Sequence, residues 1–426
     1  MNDTGEGAQP AWPAPSPVRY RVLAVLLLAY IFNFVDRQIV GILAPAIKAD
    51  LQLSDTQLGL LGGLAFALLY TTLGIPIARL ADRRSRVWII TVSLAVWSSF
   101  TALCGLATSY PMLFLARVGV GVGEAGGTAP AYSLISDYFP RHQRARALAV
   151  YSLGIPIGGA CGILFGGLMA SAVDWRFAFF AVGGAGLLIA PLLRLLVPDP
   201  PRGQFDPPAT EAPPSLGAVL RMLAAKPSFW GLSLGAASAA TLSYGLNFWL
   251  PSFFIRSFGL SLTQTAWLFA GQLIVGGCTG IWFGGWLVDR LQARSKAAYA
   301  LVPAICFLIC IPFYIAAILS PTILAAALLA LIPQALGLVW LGPIITAVQH
   351  LVPAAARSTA SAAFLFVNNL IGLGCGTLFF GTISDLLGTR FGSESLRYSI
   401  LCGLIFYVIS AALLWRTSRR LDFDLV

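Results

Sequence analysis

A series of twelve long apolar runs constrains what this chain can fold into more than any other feature of the sequence. Each run is close to or above the roughly 20 residues that a helix needs to cross a bilayer. Charged residues make up only 10% of the 426 residues, whereas soluble proteins carry about 25%. We therefore predict an all-α membrane protein with twelve transmembrane helices. The predicted spans cover residues 22–47, 58–80, 87–107, 110–137, 146–170, 175–196, 228–255, 264–288, 297–318, 322–350, 357–385 and 396–415.

A Pro-rich stretch, Val197 to Ser215, divides these spans into two sets of six. This arrangement predicts two pseudo-symmetric halves joined by a linker, and LGAVLRMLAAK at the end of the linker predicts a short interfacial helix. No cleavable signal peptide is expected, because the N-terminal segment lacks an apolar core. The predicted units are a disordered cytoplasmic tail over 1–19, an N-terminal half over 20–196, a cytoplasmic linker over 197–227, a C-terminal half over 228–416 and a second cytoplasmic tail over 417–426.

Short matches between the two sets of spans indicate an internal repeat. The matches are LSDTQ (53–57) with LSLTQ (260–264), Asp82-Arg83 with Asp289-Arg290, and Pro140 and Arg144 with Pro353 and Arg357. Within the first match, Ser54 and Gln57 predict a capping box at the start of the second span. Membrane transporters commonly consist of such repeats around a site near the bilayer midplane.

The distribution of basic residues predicts the orientation, because Lys and Arg are retained on the cytoplasmic side of short loops. Of the 27 Lys and Arg residues, five fall in the loops that would face outward and two lie within spans. Both termini are therefore predicted to be cytoplasmic, and the inner membrane of a bacterial cell is the expected location. The net charge of +10 then reflects topology, so we expect no nucleic-acid partner.

The loop after the second span, ARLADRRSR at 78–86, resembles the loop between spans 2 and 3 of the major facilitator superfamily. Asp82, Arg83 and Arg86 occupy its charged positions, although the sequence lacks two glycines of that pattern. The resemblance implies a cytoplasmic gate that holds the outward-open state. In such a gate the Asp caps a helix of the other half, and the Arg meets an acid at the inner end of the fourth span. Further residues expected at this gate are Asp137 as the matching acid, Arg144, and Asp289 in the second copy of the repeat.

A narrower resemblance covers FNFVDRQ at 32–38 and the stretch from Arg117 to Gly154. These segments are similar to the first-span and fourth-span signatures of the Spinster-like group, whose members are associated with lysolipids and sphingolipids. The resemblance implies an amphiphilic, lipid-like substrate. GIPIGG at 154–159 is also similar to the antiporter motif of the superfamily, and it predicts a kink at Pro156.

The first predicted span contains a polar stripe, which is unusual because a charge near the bilayer centre costs roughly 2.5–3.5 kcal/mol. Asn33, Asp36 and Arg37 are three and four residues apart and form this stripe. As chain neighbours, Asp36 and Arg37 do not face each other well, so each requires a partner on another helix.

The fourth predicted span supplies the candidate partners. Arg117, Glu124 and Thr128 lie on one face of a continuous helix, and the charges of spans 1 and 4 sum to zero when all are ionised. Protonation of one carboxylate would leave a positive site. We expect Glu124, the nearest to the midplane, to be the protonation switch, with Asp36 as second choice. The alternative is that the four charges only hold the two spans together.

The second half offers no comparable buried charge. Its candidate binding residues are uncharged: Tyr244, Asn247 and Asn368. A charged N-terminal wall facing an apolar C-terminal wall would suit an amphiphile with a polar head and a hydrocarbon tail. Most of the many aromatic residues are expected to face lipid or to fill contacts between helices.

These observations predict a secondary transporter of an amphiphilic, lipid-like substrate that works by alternating access and is coupled to protons. A multidrug/proton antiporter and an organic-anion transporter are the alternatives. A membrane enzyme is disfavoured because no Ser/His/Asp arrangement, nucleotide loop or metal cluster is visible, and no filter-like repeat indicates a channel. We expect no cofactor or metal, and a monomer whose partners are the substrate, protons and membrane lipid.

Overall fold

The computed structural model describes residues 16–203, 205, 215–292, 295–353 and 356–424. Its regular secondary structure is helical throughout these residues, as predicted. The helices before the linker, here the N-terminal helix group, are α1 (Ser16–Leu51), α2 (Asp55–Gly62), α3 (Leu64–Ala81), α4 (Arg86–Gly105), α5 (Tyr110–Glu124), α6 (Thr128–Tyr138), α7 (Arg141–Ser152), α8 (Gly154–Ala172) and α9 (Trp175–Leu196).

The linker contains one described helix, α10 (Leu216–Ala224), where the interfacial helix is predicted. The helices after it form the C-terminal helix group. They are α11 (Pro227–Phe258), α12 (Leu262–Gln292), α13 (Ala298–Ile318), α14 (Ile323–Leu336), α15 (Leu341–His350), α16 (Arg357–Asn368), a π-helical segment (Asn369–Leu373), α17 (Gly374–Phe391), a 3₁₀ turn (Gly392–Glu394), α18 (Ser395–Gly403), α19 (Ile405–Ser418) and α20 (Leu421–Asp424).

Eight helical segments within the described residues are long and apolar enough to cross a membrane. The twelve runs predicted from the sequence all coincide with helices, but those at 110–137, 228–255 and 264–288 are not among the eight, and the last two runs fall in one segment. The eight segments are Pro17–Leu51, Asp55–Ala81, Arg86–Gly105, His142–Ala172, Trp175–Leu196, Ala298–Ile318, Ile323–His350 and Arg357–Ser418.

Two capping boxes start equivalent helices in the two groups. At α2, the Ser54 hydroxyl accepts from the Gln57 amide at 3.1 Å, and the Gln57 side chain accepts from the Ser54 amide at 2.9 Å. At α12, Ser261 and Gln264 repeat both bonds at 3.2 and 3.0 Å. The predicted capping box is therefore present, and the LSDTQ and LSLTQ match corresponds to one local structure made twice.

Several predicted spans are interrupted helices. The fourth is broken between α5 and α6, so Thr128 starts a new helix and does not continue the face that carries Arg117 and Glu124. The fifth breaks between Ser152 and Gly154. Pro156 lacks the N–H that would bond the carbonyl of Ser152, which accounts for this break beside the predicted kink.

The segments predicted as tails are partly helical. Helix α1 begins at Ser16, inside the predicted first tail, while residues 1–15 lie outside the described part of the chain. At the other terminus, the carboxylate of Asp424 accepts from the backbone amide of Ser228 at 3.0 Å. Lys226 adds a bond to the Asp424 carbonyl at 2.6 Å. The end of the described chain is thus fastened to the start of α11.

Helices α1 and α11 run in the same direction across the interface between the two groups. A Cβ atom at Gly41 of α1 would lie 3.3 Å from Cα of Phe248 in α11, and both residues precede the end of their helix by about three turns. The C-terminal ends of both helices lie together with the start of α2, because Lys48 of α1 and Arg256 of α11 both donate to Asp55. We call this the Asp55 end of the bundle, and the opposite end, where α3 meets α4, the Arg86 end.

Candidate functional site

Two crossed ion pairs connect α1 to α5. The Arg117 guanidinium donates to Asp36 at 3.0 Å, and the Arg37 guanidinium donates to Glu124 at 2.7 Å. Chain neighbours on α1 thus take partners about two helical turns apart on α5. As expected, Asp36 and Arg37 do not pair with each other.

The two carboxylates of this cluster are deeply buried. Glu124 is 0% exposed and Asp36 is 1% exposed, and the Thr101 hydroxyl of α4 donates to Asp36 as well. One oxygen of Glu124 has no hydrogen-bond partner among the described residues. An acceptor left open in this way provides a place for a proton.

Three aromatic rings surround the Arg37 guanidinium. Its Cζ atom lies 5.2 Å from the ring centre of Phe34, 4.9 Å from that of Phe66 and 4.6 Å from that of Tyr70. These distances are those of cation–π contacts. The rings thus contact the same guanidinium that pairs with Glu124.

A cavity of about 230 Å³ lies between the two helix groups. Arg37 and Arg117 line it, whereas Asp36 and Glu124 are not among its described lining residues. The two bases therefore face the cavity and the two acids lie behind them. Such a wall offers positive charge to a bound molecule and keeps the carboxylates away from it.

The C-terminal wall of the cavity carries no described charged residue, and it is mainly apolar, as expected, with several polar side chains set into it. Tyr244 and Asn247 line it as predicted, while Asn368 is buried at the end of α16 and is not a described lining residue. The polar lining residues that the sequence interpretation did not assign to the site are Ser243, Tyr314, Gln334, Trp340, Thr377 and Tyr407. Within the described residues this wall is uncharged, and its apolar surface is interrupted by these polar groups.

Asn33 and Thr128 line a separate, narrow pocket within the N-terminal helix group. Tyr30 and Tyr151 line it too, with their rings stacked at 4.2 Å. The Asn33 side-chain oxygen has no hydrogen-bond partner in the described part of the chain. The structure therefore brings Asn33 and Thr128 together, but away from the large cavity.

The residues predicted for the gate at the Arg86 end divide into two sets. Arg86 is 1% exposed and its guanidinium donates to Asp137, which is the contact that the superfamily resemblance implies. The linker joins this contact, because Asp199 also pairs with Arg86, at 3.3 Å, and the Gly203 amide donates to Asp137 at 2.9 Å. Asp199 and Gly203 are not among the residues that the sequence predicts for this gate.

The other predicted gate residues do not form a described contact like that of Arg86 and Asp137. Asp82 and Arg83 are exposed, and the Asp82 carboxylate has no described ion-pair partner. Arg202 of the linker instead donates to the backbone carbonyls of Ala81 and Asp82. Arg144 donates to the Ser136 carbonyl within its own group at 2.8 Å. The side chain of Asp289 lies outside the described residues.

A second polar cluster closes the Asp55 end, and the sequence interpretation missed it. The carboxylate of Asp55 on α2 accepts two bonds, at 2.7 and 2.6 Å, from the Arg256 guanidinium on α11. Lys48 of α1 and Ser384 of α17 donate to the same carboxylate at 2.5 and 2.7 Å. Asp55 is 2% exposed, so a buried carboxylate with a bidentate arginine joins the two helix groups.

Asp385 of α17 completes this cluster by capping α2 from the other helix group. Its carboxylate accepts from the backbone amides of Asp55 and Thr56 at 3.0 and 2.7 Å, and from the Thr56 hydroxyl at 2.6 Å. A negative charge is favourable at a helix N-terminus. We call Lys48, Asp55, Arg256, Ser384 and Asp385 the Asp55 cluster.

Glycines let the backbones of α2 and α17 meet at this cluster. A Cβ atom at Gly381 would lie 2.2 Å from the carbonyl oxygen of Asp55, and one at Gly59 would lie 2.5 Å from the carbonyl oxygen of Thr377. One signal of this contact is visible in the repeat. The first copy has Asp55 where the second has Leu262, so the charge is a departure from the shared pattern.

Comparisons with known proteins agree with this architecture. The Major Facilitator Superfamily profile matches residues 26–376. An MFS-type efflux pump of Mycolicibacterium smegmatis is 32% identical over 421 residues, which cover 99% of this chain and 95% of the pump. Protein spinster homolog 1 of Bos taurus is 31% identical over 393 residues, which cover 86% of this chain and 73% of the relative.

A solved structure adds support from the fold. A bacterial homologue of the human lysosomal transporter Spinster, in an inward-facing and unoccupied conformation, matches with a TM-score of 0.89. The identity is 34%, over 97% of this chain and 99% of that one. The chain therefore belongs to the major facilitator superfamily of multi-pass membrane transporters, and within it to the Spinster-like group.

Proposed function

We propose that this protein is a secondary transporter of an amphiphilic, lipid-like anion of the lysolipid or sphingolipid class, coupled to protons and working by alternating access. The observation that carries the proposal is the arrangement of the two ion pairs, in which Arg37 and Arg117 line the cavity and their acids lie behind. Forked, permanently charged guanidinium groups suit phosphate and carboxylate head groups. The Spinster-like resemblance supports the lipid-like class.

Glu124 is the proposed protonation switch. While it is ionised, it neutralises Arg37 at 2.7 Å. A proton on Glu124 removes that neutralisation, so Arg37 becomes available to an anion in the cavity while the three aromatic rings keep it in place. Proton uptake and anion binding would then favour each other. Asp36 is the second choice because Thr101 and Arg117 already hold its carboxylate.

We further propose that the helices make twelve passes with both termini in the cytoplasm and that the Arg86 end faces the cytoplasm. The excess of basic residues at that end supports this orientation. The cavity then opens inward in this conformation, because the Asp55 cluster joins the two groups at the outer end. The inward-facing state of the solved Spinster homologue is consistent with this assignment. Alternating access requires the Asp55 cluster to break.

An efflux pump for chemically diverse hydrophobic compounds is the second candidate. The full-length similarity to the mycobacterial efflux pump favours it. The two candidates differ in the charge of the transported molecule, because a wall of two arginines disfavours a cation. An enzymatic activity is not proposed.

The deciding experiment is proton flux in liposomes that contain only the purified protein and a pH-sensitive dye inside. An anionic lysophospholipid, a neutral monoacylglycerol and a hydrophobic quaternary ammonium cation are added in turn. We expect proton movement with the anionic lipid and not with the cation. Proton movement driven only by the cation would favour the efflux pump, and no movement with any of them would overturn proton coupling.

A further inference from the structure

Thr101 of α4 distinguishes the two carboxylates of the buried cluster. Its hydroxyl donates to one oxygen of Asp36, and the Arg117 guanidinium donates to the other at 3.0 Å. The carboxylate of Asp36 therefore has a donor on each oxygen. Glu124 has a donor on one oxygen only, from Arg37 at 2.7 Å, and its other oxygen has no partner among the described residues. The two acids thus differ by one hydroxyl group.

The single proton of the Thr101 hydroxyl has two acceptors within reach. Besides Asp36, the carbonyl oxygen of Trp97, one turn earlier in α4, lies 2.9 Å from the hydroxyl oxygen. A hydroxyl donates only one hydrogen bond at a time. A bond to a charged acceptor is roughly twice as strong as one between neutral groups, and the Trp97 carbonyl lies within a regular helix that supplies it with a backbone amide. The proton therefore points to Asp36 while that carboxylate is ionised.

The other groups around the cluster do not remove this difference. Apart from the four charges themselves, the described titratable group that faces Asp36 is Cys104 of α4, a thiol that is 0% exposed and inert in such surroundings. Tyr70 of α3 and Tyr244 of α11 face Arg37 instead. Helix α8, which packs along α1, has no charged residue, and the arginines of α9 lie near the two ends of that helix. The hydroxyl on α4 is therefore what makes the two acid–arginine pairs unequal.

Resting on the proposed function, we propose that Thr101 is the positioning residue that directs the coupling proton to Glu124 and keeps Asp36 ionised. A buried carboxylate is costly to ionise unless hydrogen bonds satisfy it. Without the hydroxyl, each acid would have one arginine and one unpaired oxygen, and both would take up protons in the same pH range. Thr101 is not a described lining residue of the cavity, so it acts through Asp36 and not on the ligand.

The test measures binding of dodecane sulfonate to the protein in lipid nanodiscs from about pH 5.5 to about pH 8, a range in which this ligand stays charged. In Glu124→Gln the affinity should stay constant within about twofold, because Asp36 is kept ionised. In the double variant Glu124→Gln/Thr101→Val, Asp36 should titrate instead. A proton on Asp36 leaves Arg117 without its counter-charge at the cavity wall, so the affinity should rise about tenfold as the pH falls.

Two controls in the Glu124→Gln background keep the hydroxyl contact to Asp36. Thr101→Ser retains the hydroxyl group. Thr91→Val makes the matched substitution on the same helix, at a buried threonine whose hydroxyl donates to the Val87 carbonyl at 2.8 Å. Both should leave the affinity independent of pH. Thr101→Ala removes the hydroxyl without the branched side chain of valine, and it should reproduce the pH dependence if valine disturbs the fold.

An affinity that stays constant in the double variants with valine and with alanine would overturn the role of Thr101. A pH dependence in Glu124→Gln alone that Asp36→Asn removes would overturn it too, because Asp36 would then titrate with the hydroxyl in place. Failure of the proposed proton coupling gives a different result. The unaltered protein would then show no pH dependence, while the double variant would still gain one.

Discussion

The carboxylate of Asp385 accepts a hydrogen bond from the backbone amide of Asp55, although the two residues belong to different helix groups. The first amides of a helix have no partner within it. Helix α2 thus takes one of its caps from the helix group against which it would move in the proposed alternating access. Opening the Asp55 end therefore exposes unsatisfied backbone amides as well as an unpaired buried carboxylate.

The first prediction concerns this cap. Asp385→Ala should shift the protein toward a state with an open Asp55 end, by about tenfold in population, because it removes three hydrogen bonds between the groups. The measurement is the distance between spin labels at Gln52 and Arg390, both exposed near this end. Asp50→Ala is the control, since Asp50 pairs with Arg176 inside the N-terminal group. Equal distance distributions for the two variants would show that the cap does not hold the groups together.

The second prediction concerns the charge of the ligand. Arg37→Ala and Arg117→Ala should each weaken binding of dodecane sulfonate by about tenfold or more and leave a neutral monoacylglycerol within about twofold. Arg194→Ala, on α9 and outside the described cavity lining, should change neither affinity. Parallel losses for both ligands would indicate that the arginines serve packing and not recognition.

The third prediction concerns protons. Dodecane sulfonate keeps its charge across the range from about pH 5.5 to about pH 8, so any pH dependence of its binding arises from the protein. Binding should strengthen as the pH falls, because a proton on Glu124 leaves Arg37 without its counter-charge. Glu124→Gln imitates the protonated form and should bind tightly at every pH. A pH profile that survives in Glu124→Gln and disappears in Asp36→Asn would move the switch to Asp36. A profile unchanged in both would leave the charges structural.

The fourth prediction concerns Asp82, which is exposed at the Arg86 end, unlike the buried contact between Arg86 and Asp137. Asp82→Asn should leave thermal stability within about 0.5 kcal/mol, because its side chain is exposed in this conformation. It should nevertheless slow transport, since the proposed partner of Asp82 is met only in the outward-open state. A smaller effect is expected for Asp289→Asn, because the sequence after Asp289 lacks the dense arginine cluster that follows Asp82. Full transport by Asp82→Asn would remove it from the gate.

The fifth prediction concerns Arg86 itself. Arg86→Gln should destabilise the protein by about 3–5 kcal/mol, because it removes a buried guanidinium that pairs with the carboxylates of both Asp137 and Asp199. Thermal unfolding in detergent gives the measurement, with Arg84→Gln as the exposed control. A loss no larger than that of the control would show that water or the linker compensates the carboxylates.

The parts of this structure that were predictable from sequence depend on short spacings. Ser54 and Gln57 are three residues apart, and that spacing alone specifies the capping box. The isolation of Asp36 from Arg37 also follows from helix geometry. The crossed pairing does not, because two acids and two bases on two helices allow more than one arrangement. The relative rotation of α1 and α5 decides between them.

Contacts between distant segments were not predictable in this way. The departure from the repeat at Asp55 marks that residue, but it does not indicate that Arg256 and Asp385 will meet it, since the contact depends on how two helix groups pack. Trp340 lines the cavity beside the break between α14 and α15, and its neighbours in the sequence do not indicate that position. The predicted position of Thr128 is wrong because it depends on a continuous fourth span, whereas α5 ends at Glu124 and α6 begins at Thr128.

The crossed ion pairs also have a mechanical consequence. Two adjacent residues of α1 pair with residues about two turns apart on α5, so sliding or rotating α1 against α5 would stretch at least one of the two ion pairs. We therefore expect helices α1 and α5 to move as one rigid unit while both ion pairs are intact. Protonation of Glu124 would remove the charge that pairs with Arg37 and leave the Asp36–Arg117 pair intact. Helix α1 could then rotate against α5 about that remaining contact.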